Sequence, residues 1–306
     1  MTTEQQTSAG IVLSGLDGSN PLAFLAALGT LRTLSLAWPD QNVRMAWVRA
    51  ITGWVPTLHS LPQASGENEL LEMLKPMLYM KFAEHPLSIL KDKTELDTRF
   101  TRYKLGITAE DREAESDWLS ALCSDTAPDA TCQIQTARRD YFAGNLENIV
   151  NKTNSSHLRR ALFQTWDYAD SLANQSLHMD PTEDRRHAYQ WSAPTCDGER
   201  DKKGGMLGAN RLAIESFPYF QSNTVGSNLS TRGFTGLEKN NIRWTWPIWI
   251  CPLGYNETGS LLSLPELQAE KPNASRLHAC GVATAFRCWR ILVERTPNFT
   301  PATAFF

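Results

Sequence analysis

The run from Asn20 to Leu36 constrains this chain more than any other feature. Asn20 has the chemistry of a helix N-cap, and Pro21 suits the first helical position, where its missing N–H would have found no partner anyway. From Leu22 to Leu36 the predicted helix is apolar nearly all round (Leu22, Phe24, Leu25, Leu28, Leu31, Leu34), while Ala23, Ala26, Ala27 and Gly29 permit close approach. A helix without a polar face has to be enclosed, so other elements must cover it on several sides. With 306 residues, 42% of them apolar, the chain can do so as one large domain or two modest ones.

Ile11 to Leu16 reads as a strand, and Asp17-Gly18-Ser19 as the turn into the helix. Val43–Val48 and Gly53–Leu58 read as short strands forming a hairpin, followed by a helical run from Glu67 that Pro76 interrupts or restarts. The opening order is β-α-β-β-α. Asp111 to Leu122 is acidic and amphipathic, and Ser156 can cap a helix whose Leu158, Leu162, Trp166 and Ala169 share a face. Between Asp180 and Gly205 the chain is polar and rich in glycine and proline, as long loops are. Met206–Phe217 is a short helix candidate. Ile242–Trp246 alternates as a strand, and Pro247 should push it to an edge or an end. Ala279–Glu294 fits helix or strand. The expected fold class is mixed α/β (α+β), with an N-terminal α+β region over 1–105, a helical region over 106–180 and a loop-rich α+β region over 181–306, integrated into one globular unit.

Met1 to Gly10 lacks the basic start and apolar core of a secretory signal, and no stretch reaches the roughly 18 apolar residues of a membrane span. A cytoplasmic protein with no membrane partner is expected. Cys123, Cys132, Cys196, Cys251, Cys280 and Cys288 form no CxxC pair, so they suit neither a zinc ribbon nor a disulfide scaffold. Phosphate-loop, dinucleotide, nucleophile-elbow and HExxH motifs are all missing, which removes the commonest nucleotide and hydrolase signatures. No cofactor is expected.

Net charge is −3, unevenly spread. Residues 1–100 carry 8 basic and 10 acidic groups, 101–200 carry 11 and 16, and 201–306 carry 11 and 7, so only the last third is basic. Within it, Arg200, Lys202, Lys203, Arg211, Arg232, Lys239 and Arg243 are interleaved with Phe217, Tyr219, Phe220, Phe234 and Trp244. Basic groups neutralise phosphates and aromatic rings stack on unpaired bases. Gly204, Gly205 and Gly208 allow backbone to approach a phosphate, and Asn210 can read a base edge. The arginine pairs Arg138-Arg139, Arg159-Arg160 and Arg185-Arg186 extend this set of candidate contacts. The competing explanation is a solvated loop over core aromatics. Trp244, Trp246 and Trp249 suit core packing better than a stacking platform.

One further cluster, His178 to His187, holds imidazoles and carboxylates that can bind a hydrolytic cation through His178, Asp180, Asp184 and His187. Its spacing matches no defined ligand pattern, and the same residues read as a turn with Glu183 and Asp184 pairing to Arg185 and Arg186.

The run Leu13–Arg32, with its strand, Pro-Leu step and small-residue helix ending in Leu-Arg, resembles the opening of the large-subunit-type proteins encoded in type I-G (formerly I-U) CRISPR loci. Asp184-Arg185-Arg186, Gly208–Ala213, Thr231-Arg232-Gly233-Phe234, Trp246-Pro247-Ile248-Trp249 and Asn298–Ala302 are similar to pieces of a related bacterial set. Many members of the group are longer than this chain. The resemblance implies a non-catalytic subunit of a Cascade-type interference complex, with other effector subunits, guide RNA and target DNA as partners. Such a subunit helps recognise target DNA beside its protospacer-adjacent motif, and a helicase-nuclease recruited in trans does the cutting. The alternatives are a metal-dependent nuclease of an antiviral system, built on the His178–His187 cluster, and a purely structural scaffold.

Overall fold

The computed structural model describes residues 10–62, 64–92, 113–127, 129–172, 174–183, 204–237, 241–293 and 296–306. The predicted helix is present as α1 (Pro21–Ala37). Asn20 Oδ1 accepts from the N–H of Leu22 at 2.8 Å and of Ala23 at 3.2 Å, two donors that the first turn would otherwise leave unmet. The turn before it is held by Asp17, which accepts from the backbone and hydroxyl of Ser19.

The N-terminal sheet has the order β1-β3-β2, all antiparallel: β1 (Ile11–Val12), β2 (Arg44–Ala50) and β3 (Gly53–His59). The predicted strand Ile11–Leu16 is therefore shorter than its apolar pattern. After Leu13 donates to the Pro56 carbonyl, Gly15 turns away and donates to Leu162 instead. Helix α2 (Glu67–Tyr79) runs straight through Pro76. The proline falls in the last turn, so its missing N–H costs one bond near a frayed end rather than splitting the helix.

The middle of the chain contributes α3 (Glu113–Leu122), α4 (Arg139–Lys152) and α5 (Ser155–Phe163). The cap of α5 is Asn154 rather than Ser156, with His157 Nδ1 accepting from the Asn154 N–H in return. Trp166 and Ala169 lie beyond the helix end, so of the expected face only Leu158 and Leu162 are presented by the helix. Helix α6 (Leu207–Glu215) is buried along its whole length.

The C-terminal sheet is β6 (Phe234–Thr235), β7 (Ile242–Trp249) and β8 (Val282–Val293), with β9 (Thr296–Phe299) and β10 (Thr303–Ala304) along the far edge of β8. A hairpin of β4 (Ser222–Val225) and β5 (Asn228–Thr231) precedes it. Between β7 and β8 come the short helices α7 (Tyr255–Leu262), α8 (Pro265–Gln268) and α9 (Ala274–Ala279). Pro247 does not end β7 and does not place it at an edge. Beyond Thr245, which donates to Gly233, β6 offers no further partner, so the proline needs no donor on that side. Both helices and antiparallel sheets are thus present, as the α+β reading expected.

The enclosure of α1 comes from both ends of the chain. Phe24 meets Trp47 of β2 at 5.9 Å between centroids, Trp246 of β7 at 5.7 Å and Trp249 at 6.4 Å. The two β7 indoles donate to backbone, Trp246 to Gly18 and Trp249 to Met45, each at 2.8 Å, so their polar atoms tie the sheets together while their rings fill the core. The three tryptophans weighed as a stacking platform are therefore core. On its other side α1 packs against α6 so closely that a Cβ on Gly29 would lie 1.7 Å from the Leu212 carbonyl oxygen. No helix among the described residues is long and apolar enough to cross a membrane.

Candidate nucleic-acid interface

The predicted basic residues separate into three classes once folded. Asn210 and Arg211, expected as contacts, sit on α6 with no exposure at all. Asn210 accepts from the Leu177 N–H at 2.7 Å and donates to Met206, and Arg211 pairs with Glu215 at 2.6 Å and donates to the Met77 carbonyl at 3.1 Å. As folded, neither reaches solvent, because α6 is the central helix against which α1 and α5 pack. These two positions are corrected from surface to core.

Three arginines of the predicted pairs, Arg138, Arg159 and Arg160, are engaged by acids. Arg159 bonds Glu67 at 3.2 Å and Asn68, and Arg160 bridges Asp167 and Asp170, which raise its pKa further. Arg138 pairs with Asp140 at 2.9 Å and lies 5.3 Å from the Tyr141 ring centre. Arg139 opens α4. Arg185, Arg186, Lys202 and Lys203 lie outside the described residues, as do Asp184 and His187 of the metal cluster. Of that cluster, Asp180 is buried and accepts from Thr182 and from the Tyr168 hydroxyl. Among the described residues no three His, Cys, Asp or Glu side chains are grouped to hold a metal.

Arg232 is different. It follows β5, where Gly233 at φ 84 turns the chain into β6. Its guanidinium donates to the Tyr219 carbonyl at 3.0 Å and to Gln221 Oε1 at 2.9 Å, both neutral acceptors. No carboxylate among the described residues pairs with it, and burial lowers its pKa against a smaller opposing effect of Tyr255. Arg232 borders an open cleft of about 330 Å³ whose other walls include Gln221, Tyr255, Asn256, Ser260 and Ser263. Tyr255 packs edge-on against Tyr219 at 5.0 Å. Glu257, the acid on the first turn of α7, is drawn to Arg44 at 3.3 Å. The lining is a partly desolvated cation with neutral hydrogen-bonding groups, a composition suited to an anion.

Arg243 supplies a second place. Its guanidinium lies 5.6 Å from the ring centre of Trp289, which is 42% exposed, and pairs with Glu270 at 3.1 Å. On the neighbouring strand are two arginines that sequence reasoning missed. Arg287 donates to Thr245 and Ala269 and stacks on Phe305, while Arg290 donates to the Gln135 carbonyl. Neither has a carboxylate partner among the described residues. Burial, with Arg243 adding to it, pushes Arg287 down to about 10, and burial lowers Arg290 as well. The available signal was Phe-Arg-Cys-Trp-Arg-Ile over 286–291, cations embedded in an apolar run.

No family model, curated protein or solved structure matches this chain.

Proposed function

We propose that this chain is a non-catalytic nucleic-acid-binding subunit of a type I CRISPR interference complex, and that the Arg232 cleft is where it holds a phosphate. The observation that carries the reading is Arg232 itself: a half-buried guanidinium whose partners among the described residues are neutral, bordering a polar cleft. A phosphate oxygen is a stronger acceptor than the amide groups now facing it, and a charge-assisted bond is roughly twice as strong as a neutral one. Tyr255, which also lines the cleft, offers an aromatic edge and hydroxyl to the adjoining nucleotide.

Three of the resembling stretches meet in the core. Leu13–Arg32 packs against both Gly208–Ala213 and Trp246–Trp249: Gly29 lies against Leu212, and Trp246 bonds Gly18. Thr231-Arg232-Gly233-Phe234 then delivers the cleft cation. Of the stretches that carry the likeness, those among the described residues build core and supply one candidate binding residue. The net charge of −3 suits docking against basic sister subunits.

Purification from a host carrying the neighbouring genes, followed by nucleic-acid extraction, tests this. A ribonucleoprotein containing guide RNA is expected. A chain that purifies alone and free of nucleic acid contradicts it, and cation-dependent cutting abolished by Asp184→Ala would replace it with the nuclease reading.

A further inference from the structure

The ladder between β7 and β8 ends with Trp249 opposite Val282, and the next step is bonded too, the Ile250 N–H donating to the Gly281 carbonyl at 3.0 Å. There the ladder stops: the Gly281 N–H donates to His278 and Cys280 caps α9, so Cys280 precedes and Cys251 follows this last bonded step, one on either side of it. Both thiols are free and exposed, whereas Cys123, Cys132 and Cys288 are buried. Gly281 adopts φ 80, and a Cβ built on it would lie 3.4 Å from Cys251 Sγ, so that thiol leans over the Cys280–Gly281 turn. The Cys251 side chain therefore reaches the backbone of the residue that directly follows Cys280. A disulfide spans Cα separations of about 4.4–6.8 Å.

We propose that Cys251 and Cys280 form a reversible disulfide, a redox modification site at the mouth of the β7–β8 connection. The oxidant is a low-molecular-weight disulfide. One cysteine, as thiolate, attacks a sulfur of that disulfide, forming a mixed disulfide and expelling one thiolate. The second cysteine gives its proton to water, attacks the mixed disulfide at the protein sulfur and expels the second thiolate. The protein loses two protons and two electrons, and the oxidant becomes two thiols.

The bond closes a loop holding α7, α8 and α9, and α7 carries Tyr255, Asn256 and Ser260 of the Arg232 cleft. Cys251 is already anchored two residues on, where Leu253 and Met45 exchange backbone hydrogen bonds at 2.8 and 2.9 Å. Oxidation would therefore fix one wall of the cleft to the end of the sheet. The inference does not depend on what the cleft binds.

The test is to equilibrate the full chain with oxidised and reduced glutathione over a range of ratios, block free thiols and map peptides without reduction. A peptide joining Cys251 to Cys280, two hydrogens lighter than its reduced parts, is expected, and in Cys251→Ser the thiol of Cys280 should carry glutathione instead. Separate glutathione adducts on Cys251 and Cys280 at every ratio, or a cross-link from either to Cys196, would overturn the proposal.

Discussion

Glu215 is shared among three buried basic side chains. One carboxylate oxygen binds Arg211 at 2.6 Å and the other faces Arg32 at 3.4 Å, with His85 Nε2 at 3.8 Å. Burial alone would raise its pKa, but Arg211 and His85 hold it well below the carboxylate range. Glu215→Ala leaves two buried guanidiniums without their anion and is expected to cost ~3–5 kcal/mol in denaturant unfolding. His85 Nδ1 accepts from the Leu87 N–H at 3.1 Å, so the proton of the neutral ring sits on Nε2, toward Glu215. Burial lowers its pKa from 6.5, against the pull of Glu215. Because the folded pKa is depressed, the unfolded chain takes up the proton first, and stability present above about pH 6.5 is lost as pH falls. Unfolding midpoints measured between about pH 7 and 5 should decline in the native chain and decline less in His85→Gln. This cluster was hidden from sequence reasoning because counting charge along 200–244 cannot distinguish a buried arginine from a solvated one. The legible hint was the spacing of Arg211 and Glu215, four apart on a helix whose other residues, Asn210 excepted, are apolar or small.

At the scale of elements, the contact between α1 and α6 decides how α1 is enclosed. Gly29 is the closest approach, and what a methyl would meet there is backbone, which has no rotamer to yield. Gly29→Ala should therefore cost ~3 kcal/mol, at the upper end of overpacking penalties, with slowed hydrogen exchange lost first in Leu207–Glu215. Helix α1 was readable because its start is written in Asn20-Pro21 and its composition admits no exposed face. Strand β8 was not, because a run of apolar residues buried on both faces over most of its length, with arginines set into it, carries no period to separate strand from helix. Pro247 misled for a related reason: its rule concerns ladders that continue, and the ladder to β6 stops just before it. The Arg232 cleft was legible only as one residue in a basic stretch. Its character depends on Glu257 being drawn away by Arg44, a pairing between residues 213 apart in sequence.

At the scale of the whole molecule, one continuous cluster of buried residues runs from Ile11 to Phe299 and draws on all three regions of the chain. Phe24, Trp47, Trp246 and Trp249 meet only when the first and last hundred residues are both present. A chain ending at Asp180 would strip α6 and the C-terminal sheet from α1, and it is expected to show no cooperative transition by tryptophan fluorescence. The same closure carries Arg232 to the wall formed by α7. The central claim is that this cation meets a phosphate, and the slope of log affinity against log salt for guide RNA and duplex DNA, compared between the native chain and Arg232→Ala within the assembled complex, tests it most directly. Loss of one contact should flatten the slope by about 0.7–0.9 and weaken binding at every sequence alike, with Arg232→Lys retaining most of the slope. An unchanged slope in Arg232→Ala would contradict the account.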